Sequence, residues 1–259
     1  MEEQQIWTAF LCFWLALFGA VLGSFLDCAV SRWAAGEPRP LAGRSRCASC
    51  GRTLGAGDLV PVVSFLLRRG RCRYCGERIP RRCLVSELAG AAALACLGWR
   101  FGPCPELGQW LLFAALLLAL SLTDWLRQII PDRLLAALAV NRAVWFVLLG
   151  QGLAEAAEAG KALAVPAALL ALVLALEKAL GREAMGGGDI KLLAALALYL
   201  DWAELVLALL TGCVLGLLWA GLTRRGRGRT MPFGPFLAAG AWAAVCFGGP
   251  ALAWYFGLF

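Results

Sequence analysis

Eight apolar runs separated by polar segments dominate the pattern of this chain, at about residues 6–30, 84–100, 107–123, 134–150, 161–180, 190–200, 203–223 and 236–259. Most approach the ~20 residues that a helix needs to cross the hydrocarbon core of a bilayer; the run at 190–200 is short. The pattern predicts an all-α polytopic membrane protein with about eight transmembrane helices. The first run lacks the basic start and small-residue cleavage site of a removable signal, and Glu2 and Glu3 precede it. It reads as a retained helix. Residues 31–83 break the pattern with twelve arginines and three acids, too long a stretch for a simple loop. Three parts follow: a first transmembrane helix (1–30), a small cytoplasmic domain (31–83) and a seven-helix membrane domain (84–259).

Orientation comes from the basic residues. With the N-terminus outside, the cytoplasmic segments are 31–83, 124–133, 181–189 and 224–235, holding twelve, two, one and four arginines. The last four are Arg224, Arg225, Arg227 and Arg229. The other side receives the acidic N-terminus, Glu106, the Glu155/Glu158 loop, Asp201 with Glu204, and the C-terminus. That asymmetry follows the positive-inside rule. Dropping the short sixth run would put the Arg224–Arg229 cluster outside, which argues for keeping it.

Composition sharpens the picture. The chain is 61% hydrophobic and 16% charged, against about 25% charged for an ordinary soluble domain. Its net charge of +7 comes nearly all from arginine, and the arginines sit between apolar runs, so topology explains them and no nucleic-acid partner is expected. Histidine is absent, which excludes Ser-His-Asp and Cys-His catalysis and His-ligated metal hydrolysis. Hydrolysis would fall to carboxylates, with a Ser-Lys pair as the alternative.

A carboxylate beside hydrocarbon is costly to keep. Asp124 ends the third run and Asp189 opens the sixth, on the same face of the membrane by the orientation above. Each has a plain structural reading: Asp124 as an interfacial residue beside Arg127, and Asp189 as the N-cap of the helix that continues Ile190-Lys191. Gly186, Gly187 and Gly188 shift the balance, because three glycines cost stability yet admit an extended peptide backbone beside Asp189. Asp132 reads as the N-cap of the fourth helix, and Asp27 as a supporting polar residue. Together Asp124 and Asp189 form a pair able to share a proton, activate water and polarise a carbonyl.

Cys47 and Cys50, then Cys72 and Cys75, make two C-x-x-C pairs, each followed by glycine. This spacing fits a tetrahedral four-thiolate zinc site that would staple a domain too small for much core. Iron and redox-active thiols are alternatives, and a reducing cytoplasm disfavours disulfides. Such a site is closed to substrate, so its role reads as structural. Cys12, Cys28, Cys83, Cys96, Cys104, Cys213 and Cys246 lie in or beside the apolar runs and read as small buried hydrophobes.

Gly186 to Asp189 forms a G-x-G-D motif, as in intramembrane aspartic proteases, and Met185 to Leu196 resembles the second catalytic motif of the type IV prepilin peptidases. Asp124 with Ile129-Ile130-Pro131-Asp132 resembles the first. Gly23 to Leu26, the cysteine pairs, Pro61 to Ser64, Arg69 to Arg73, Ser86-Glu87 and Pro232 to Phe236 fall in the family order, so the resemblance covers nearly the whole chain. It implies a membrane enzyme of the bacterial inner membrane that cuts the leader of prepilins or pseudopilins after glycine at the cytoplasmic face. Methylation of the new N-terminal amine with S-adenosylmethionine would follow. It also implies Asp124 and Asp189 as the catalytic pair, the four cysteines as ligands of a zinc domain tied to methylation, and Asp27, Glu87 and Lys191 as supporting residues. The chain departs from the family pattern twice. Asp27 stands where asparagine is usual, and Arg81-Arg82-Cys83-Leu84 replaces an aromatic–proline segment. A transporter or channel relaying protons between the aspartates is the rival class; it offers no reason for the cysteine domain.

Overall fold

The computed structural model describes residues 2–152, 157, 160–181, 185–223 and 231–257. Glu155, Glu158, Arg182 and the Arg224–Arg229 cluster, which entered the orientation argument, lie outside the described residues. The helices are α1 (Glu2–Ala34), α2 (Val63–Leu67), α3 (Arg81–Phe101), α4 (Glu106–Arg127), α5 (Asp132–Leu148), α6 (Ala164–Leu180), α7 (Gly187–Leu196), α8 (Trp202–Thr223) and α9 (Gly234–Phe256). Among the described residues there is no strand, only two isolated bridges, Arg46 with Thr53 and Arg71 with Arg78. The chain divides into two compact units, residues 1–122 and 123–259.

Among the described residues, six helices are long and apolar enough to cross a membrane: α1, α3, α4, Gly160–Ala179 (which includes most of α6), α8 and α9. This is a multi-pass architecture. The expected fourth and sixth spans are the shorter α5, at 17 residues, and α7, at 10. Ten residues rise only ~15 Å, about half a hydrocarbon core. A set of polar contacts from α5 accounts for where α7 stops. Arg142 Nε donates to the Leu198 carbonyl (2.7 Å), and Asn141 Nδ2 donates to the Tyr199 hydroxyl (2.9 Å). That hydroxyl donates in turn to the Leu138 carbonyl (2.6 Å). The Leu198 carbonyl beyond α7 thereby finds a protein donor, as a polar backbone group away from water requires.

In the first unit, α1 and α3 pack antiparallel along small residues. Gly19 lies against the Gly90 carbonyl, Gly23 against that of Ser86, and Gly98 against Leu15. No side chain fits at the first two crossings, where a Cβ would collide with backbone oxygen. Small residues are what allow helix backbones to close up when lipid supplies no hydrophobic drive. At 33 residues, α1 outruns the bilayer, so its last turns carry Arg32 to the loop, where it donates to the Ala42 and Arg44 carbonyls at 2.8 and 2.7 Å. Gly19→Val is expected to lower the thermal midpoint in detergent, by overpacking worth at least ~1–3 kcal/mol. Gly221→Val, where a Cβ meets nothing within 4 Å, should leave it unchanged. Equal midpoints for the two variants would refute the register.

In the second unit, α8 and α9 repeat the device in antiparallel form: Gly240 meets the Ala208 carbonyl, and Gly212 faces Leu237. The next glycine along, Gly216, is overlain by Met231, Phe236 and Phe233. This fixes the segment before α9 against α8 and delivers Gly234 to the site described below.

Candidate active site

Asp124 stands in the last turn of α4 and is 6% exposed. The helix ends just beyond it: Gln128 takes positive φ (53°), and its amide returns to the Asp124 carbonyl at 2.8 Å. The turn then runs through Ile130 to Pro131, which caps α5. Ile130 is the link to the second aspartate. A Cβ on Gly188 would come within 3.3 Å of the Ile130 side chain, so this glycine lets the α4–α5 turn lie directly on the start of α7.

Asp189 is the third residue of α7, and the N-cap is Gly186 (φ −65°, ψ 130°), so Asp189 is not the capping residue. Its side chain is half-buried, and the Asp124 carboxylate acts on it electrostatically. The three glycines have separate roles. A Cβ on Gly186 would press on Asp189 Oδ2 at 3.3 Å, Gly188 receives Ile130, and Gly187 is exposed with nothing within 4 Å of the Cβ position. Gly187 thus leaves open backbone two residues before the Asp189 carboxylate.

The residue that the sequence reading passed over is Gly234. Its amide donates to Asp124 Oδ2 at 2.9 Å, a buried bond between residues 110 positions apart. A Cβ there would sit 2.8 Å from that oxygen. The signal was present in Pro232 to Phe236, a glycine set between prolines at the head of an apolar run, but read only as a piece of family order. Trp219 meets Trp125 edge to face and Phe236 at a tilt, with ring centroids 5.5 and 6.4 Å apart, and its indole Nε1 is buried with no acceptor among the described residues.

One further expectation needs correction. Asp132 is the first residue of α5 and not its cap; Pro131 is, because its fixed φ suits the helix entrance. Lys191, expected as a supporting residue, pairs with Asp132 at 2.8 Å, where both side chains are mostly exposed. An exposed pair of this kind contributes ~0–1 kcal/mol. It does show that α5 and α7 start at one level, which puts the Asp124 and Asp189 ends together.

The first unit holds the metal-binding candidate. The ligand atoms of Cys47, Cys50, Cys72 and Cys75 all lie within 4.8 Å of one another, and the Cys47 and Cys75 sulfurs are 3.8 Å apart. A tetrahedral ion with bonds of about 2.3 Å to sulfur has edges of about 3.8 Å. The two halves match: Gly51 and Gly76 turn with φ of 69° and 72° and donate to the Cys47 and Cys72 carbonyls at 2.9 and 3.0 Å. The backbone amides of Cys50 and Ser49 draw the Cys47 thiol down to about 6. The Glu77 amide pulls Cys75 the same way, yet desolvation and the Cys72, Cys50 and Cys47 sulfurs push it up to about 12. Four thiolates need a cation among them, and the residues present fit a metal ion.

Asp27, 5% exposed, accepts from Arg82 Nε (3.2 Å) and the Cys83 thiol (3.1 Å), and Arg82 also reaches Ser31 Oγ (3.0 Å). Cys83 is therefore a polar partner as well as a small hydrophobe. Glu87, also buried, accepts from the Val62 amide at 2.7 Å and ties the loop to α3.

Comparison with known proteins gives the family. Residues 111–221 match the model of the type IV leader peptidase family, and residues 17–101 match that of the bacterial peptidase A24 N-terminal domain. The Bacillus subtilis prepilin leader peptidase/N-methyltransferase is 34% identical over 93% of this chain and 96% of its own length. The chain belongs to the type IV leader peptidase family. Relatives with the same description from Pseudomonas aeruginosa and Pseudomonas putida are 31% and 37% identical, over 90% and 79% of this chain and 89% and 72% of theirs. No solved structure gives a match. Against the family pattern, the two departures are one: Asp27 and the Arg82-Cys83 segment are each other's partners.

Proposed function

We propose that this chain is an intramembrane aspartic endopeptidase that removes the leader of type IV prepilins or pseudopilins after glycine, and that it N-methylates the new N-terminal residue. The observation that carries the reading is Asp124, buried at a helix end, held by the Gly234 amide and in electrostatic contact with Asp189.

Asp124 and Asp189 share one proton. The ionised member takes a proton from water as the oxygen attacks the scissile carbonyl, and the protonated member donates to the carbonyl oxygen. When the tetrahedral intermediate collapses, the C–N bond breaks and the departing amine takes its proton from the pair. The Gly234 amide occupies Asp124 Oδ2, leaving Oδ1 for the chemistry. The open backbone at Gly187 receives the extended peptide, and glycine before the cut lets that peptide lie close. Asp27 fastens α1 to the start of α3, and Glu87 fastens the loop before α3 to that helix.

The site lies at the cytoplasmic face of the bacterial inner membrane, with both termini outside. This orientation rests on the arginine asymmetry. Zinc is the ion that Cys47, Cys50, Cys72 and Cys75 hold, and its role is structural because four thiolates leave no open position. S-adenosylmethionine supplies the methyl group. Metal analysis should find about one zinc per chain, lost when any of the four cysteines is replaced by serine, while peptide cleavage survives in part and chelators do not stop it promptly. Purified protein without zinc would refute the assignment.

The whole activity is tested by incubating purified protein with a candidate prepilin, with and without S-adenosylmethionine, and weighing the product. Loss of the leader mass, followed by a methyl-sized gain only when the donor is present, is expected. A prepilin left at full mass would contradict the reading.

A further inference from the structure

A five-residue helix hidden in the arginine-rich segment between α1 and α3 shows an apolar face that no described residue covers. Val63, Leu66 and Leu67 of α2 fall on one stripe and are 51%, 61% and 80% exposed, and the neighbouring Leu59 and Val60 are exposed too. The other side of the element is tied inward. The Val62 amide bonds to Glu87, and Phe65 folds over Gly70, where a Cβ would meet its ring at 2.9 Å.

Glu87 fixes the level at which this happens. It is buried in α3, six residues from the start of a helix that qualifies as a membrane span. Six residues are ~9 Å of helix, and the side chain leans back toward the helix start. Val62 therefore lies beside the first turns of α3 and not out beyond them. At that level an outward apolar stripe meets the boundary between headgroups and acyl chains. Charge fits as well. Arg68 is paired with Asp58 at 2.6 Å, whereas Arg69, Arg71 and Arg73 directly after the helix are exposed, as basic groups facing anionic headgroups would be.

We propose that α2 is an interfacial anchor, with Val63, Leu66 and Leu67 seated in the cytoplasmic leaflet and Arg69, Arg71 and Arg73 on anionic headgroups, so that the cysteine domain lies on the membrane surface. The proposal rests on the cytoplasmic placement of the α1–α3 segment and is independent of the cleavage chemistry.

The test uses the full-length protein in nanodiscs of phosphatidylglycerol and phosphatidylethanolamine, with photoreactive benzoylphenylalanine at Leu67 and, in a second variant, at Leu66. Retention of the metal checks folding. Irradiation should give phospholipid-mass adducts on the α2 peptide, with a yield that falls severalfold when phosphatidylcholine replaces the anionic lipid or when Arg69 carries the substitution Arg69→Glu. If metal-bearing protein captures no lipid at either position, or captures an added prepilin or a second copy of the chain in its place, the anchor is refuted. Equal yields on neutral and anionic nanodiscs would overturn the headgroup contacts. None of these readouts depends on cleavage, so the anchor and the peptidase reading fail separately.

Discussion

Asp124→Asn and Asp189→Asn are each expected to abolish prepilin cleavage, a loss of about 10²–10⁴-fold or more in rate, while the protein stays folded in the membrane. Asparagine keeps the size of the side chain and much of its hydrogen bonding, including acceptance from the Gly234 amide. It neither takes a proton from water nor shares one. Asp132→Asn and Asp201→Asn are the controls. Asp132 spends its carboxylate on an exposed pair with Lys191, and Asp201 on the first turn of α8, where it accepts from the Glu204 amide at 2.7 Å. Both controls should leave turnover within a few-fold of wild type, read as the initial rate of leader release in detergent.

Gly234→Ala should be nearly as damaging, although it removes no ionisable group. The added methyl would stand 2.8 Å from Asp124 Oδ2 and 3.2 Å from its Cγ, and a buried carboxylate at a helix end has little room to retreat. Displacing a reacting group by ~1 Å costs on the order of 10²-fold. The loss should fall on kcat with the prepilin KM nearly kept, because Gly187, the open position for peptide, is untouched. Gly249→Ala, in the same helix with nothing within 4 Å of its Cβ position, is the matched control. A Gly234→Ala enzyme with wild-type kcat would mean that the amide does not position Asp124.

Much of this was legible in the chain, for physical reasons that differ by element. Long apolar runs announce spanning helices whatever they pack against, so α1, α3, α4, α8 and α9 lie where hydropathy puts them. The cysteine cluster was legible because its spacing is local: each C-x-x-C-G is a turn that closes on itself. Asp124 and Asp189 stood out because charge is rare in apolar sequence. What could not be read was whatever depended on distant backbone or on a shift of one residue. The donor to Asp124 is a main-chain amide 110 residues away, which no side-chain pattern encodes. The entrance of α5 moved from Asp132 to Pro131, which freed Asp132 to engage Lys191 instead of capping. The run at 190–200 looked like a short span, yet the helix stops at Leu196 because Arg142 and Asn141, inside another apolar run, reach across to Leu198 and Tyr199. Asp27 and Arg82 looked like two departures until α1 and α3 were seen packed along Gly19 and Gly23. The apolar stripe of α2 was lost among twelve arginines.

The central claim is that Asp124 and Asp189 work as one acid–base unit. Its most direct test is a double-mutant cycle on the initial rate of prepilin cleavage: wild type, Asp124→Asn, Asp189→Asn and the double variant, in preparations free of endogenous peptidase. Residues that act together lose nearly everything on the first removal, so the double variant should be scarcely slower than either single one. If either single variant cleaves at near the wild-type rate, or if the two losses multiply as independent contributions, the shared-proton mechanism is wrong.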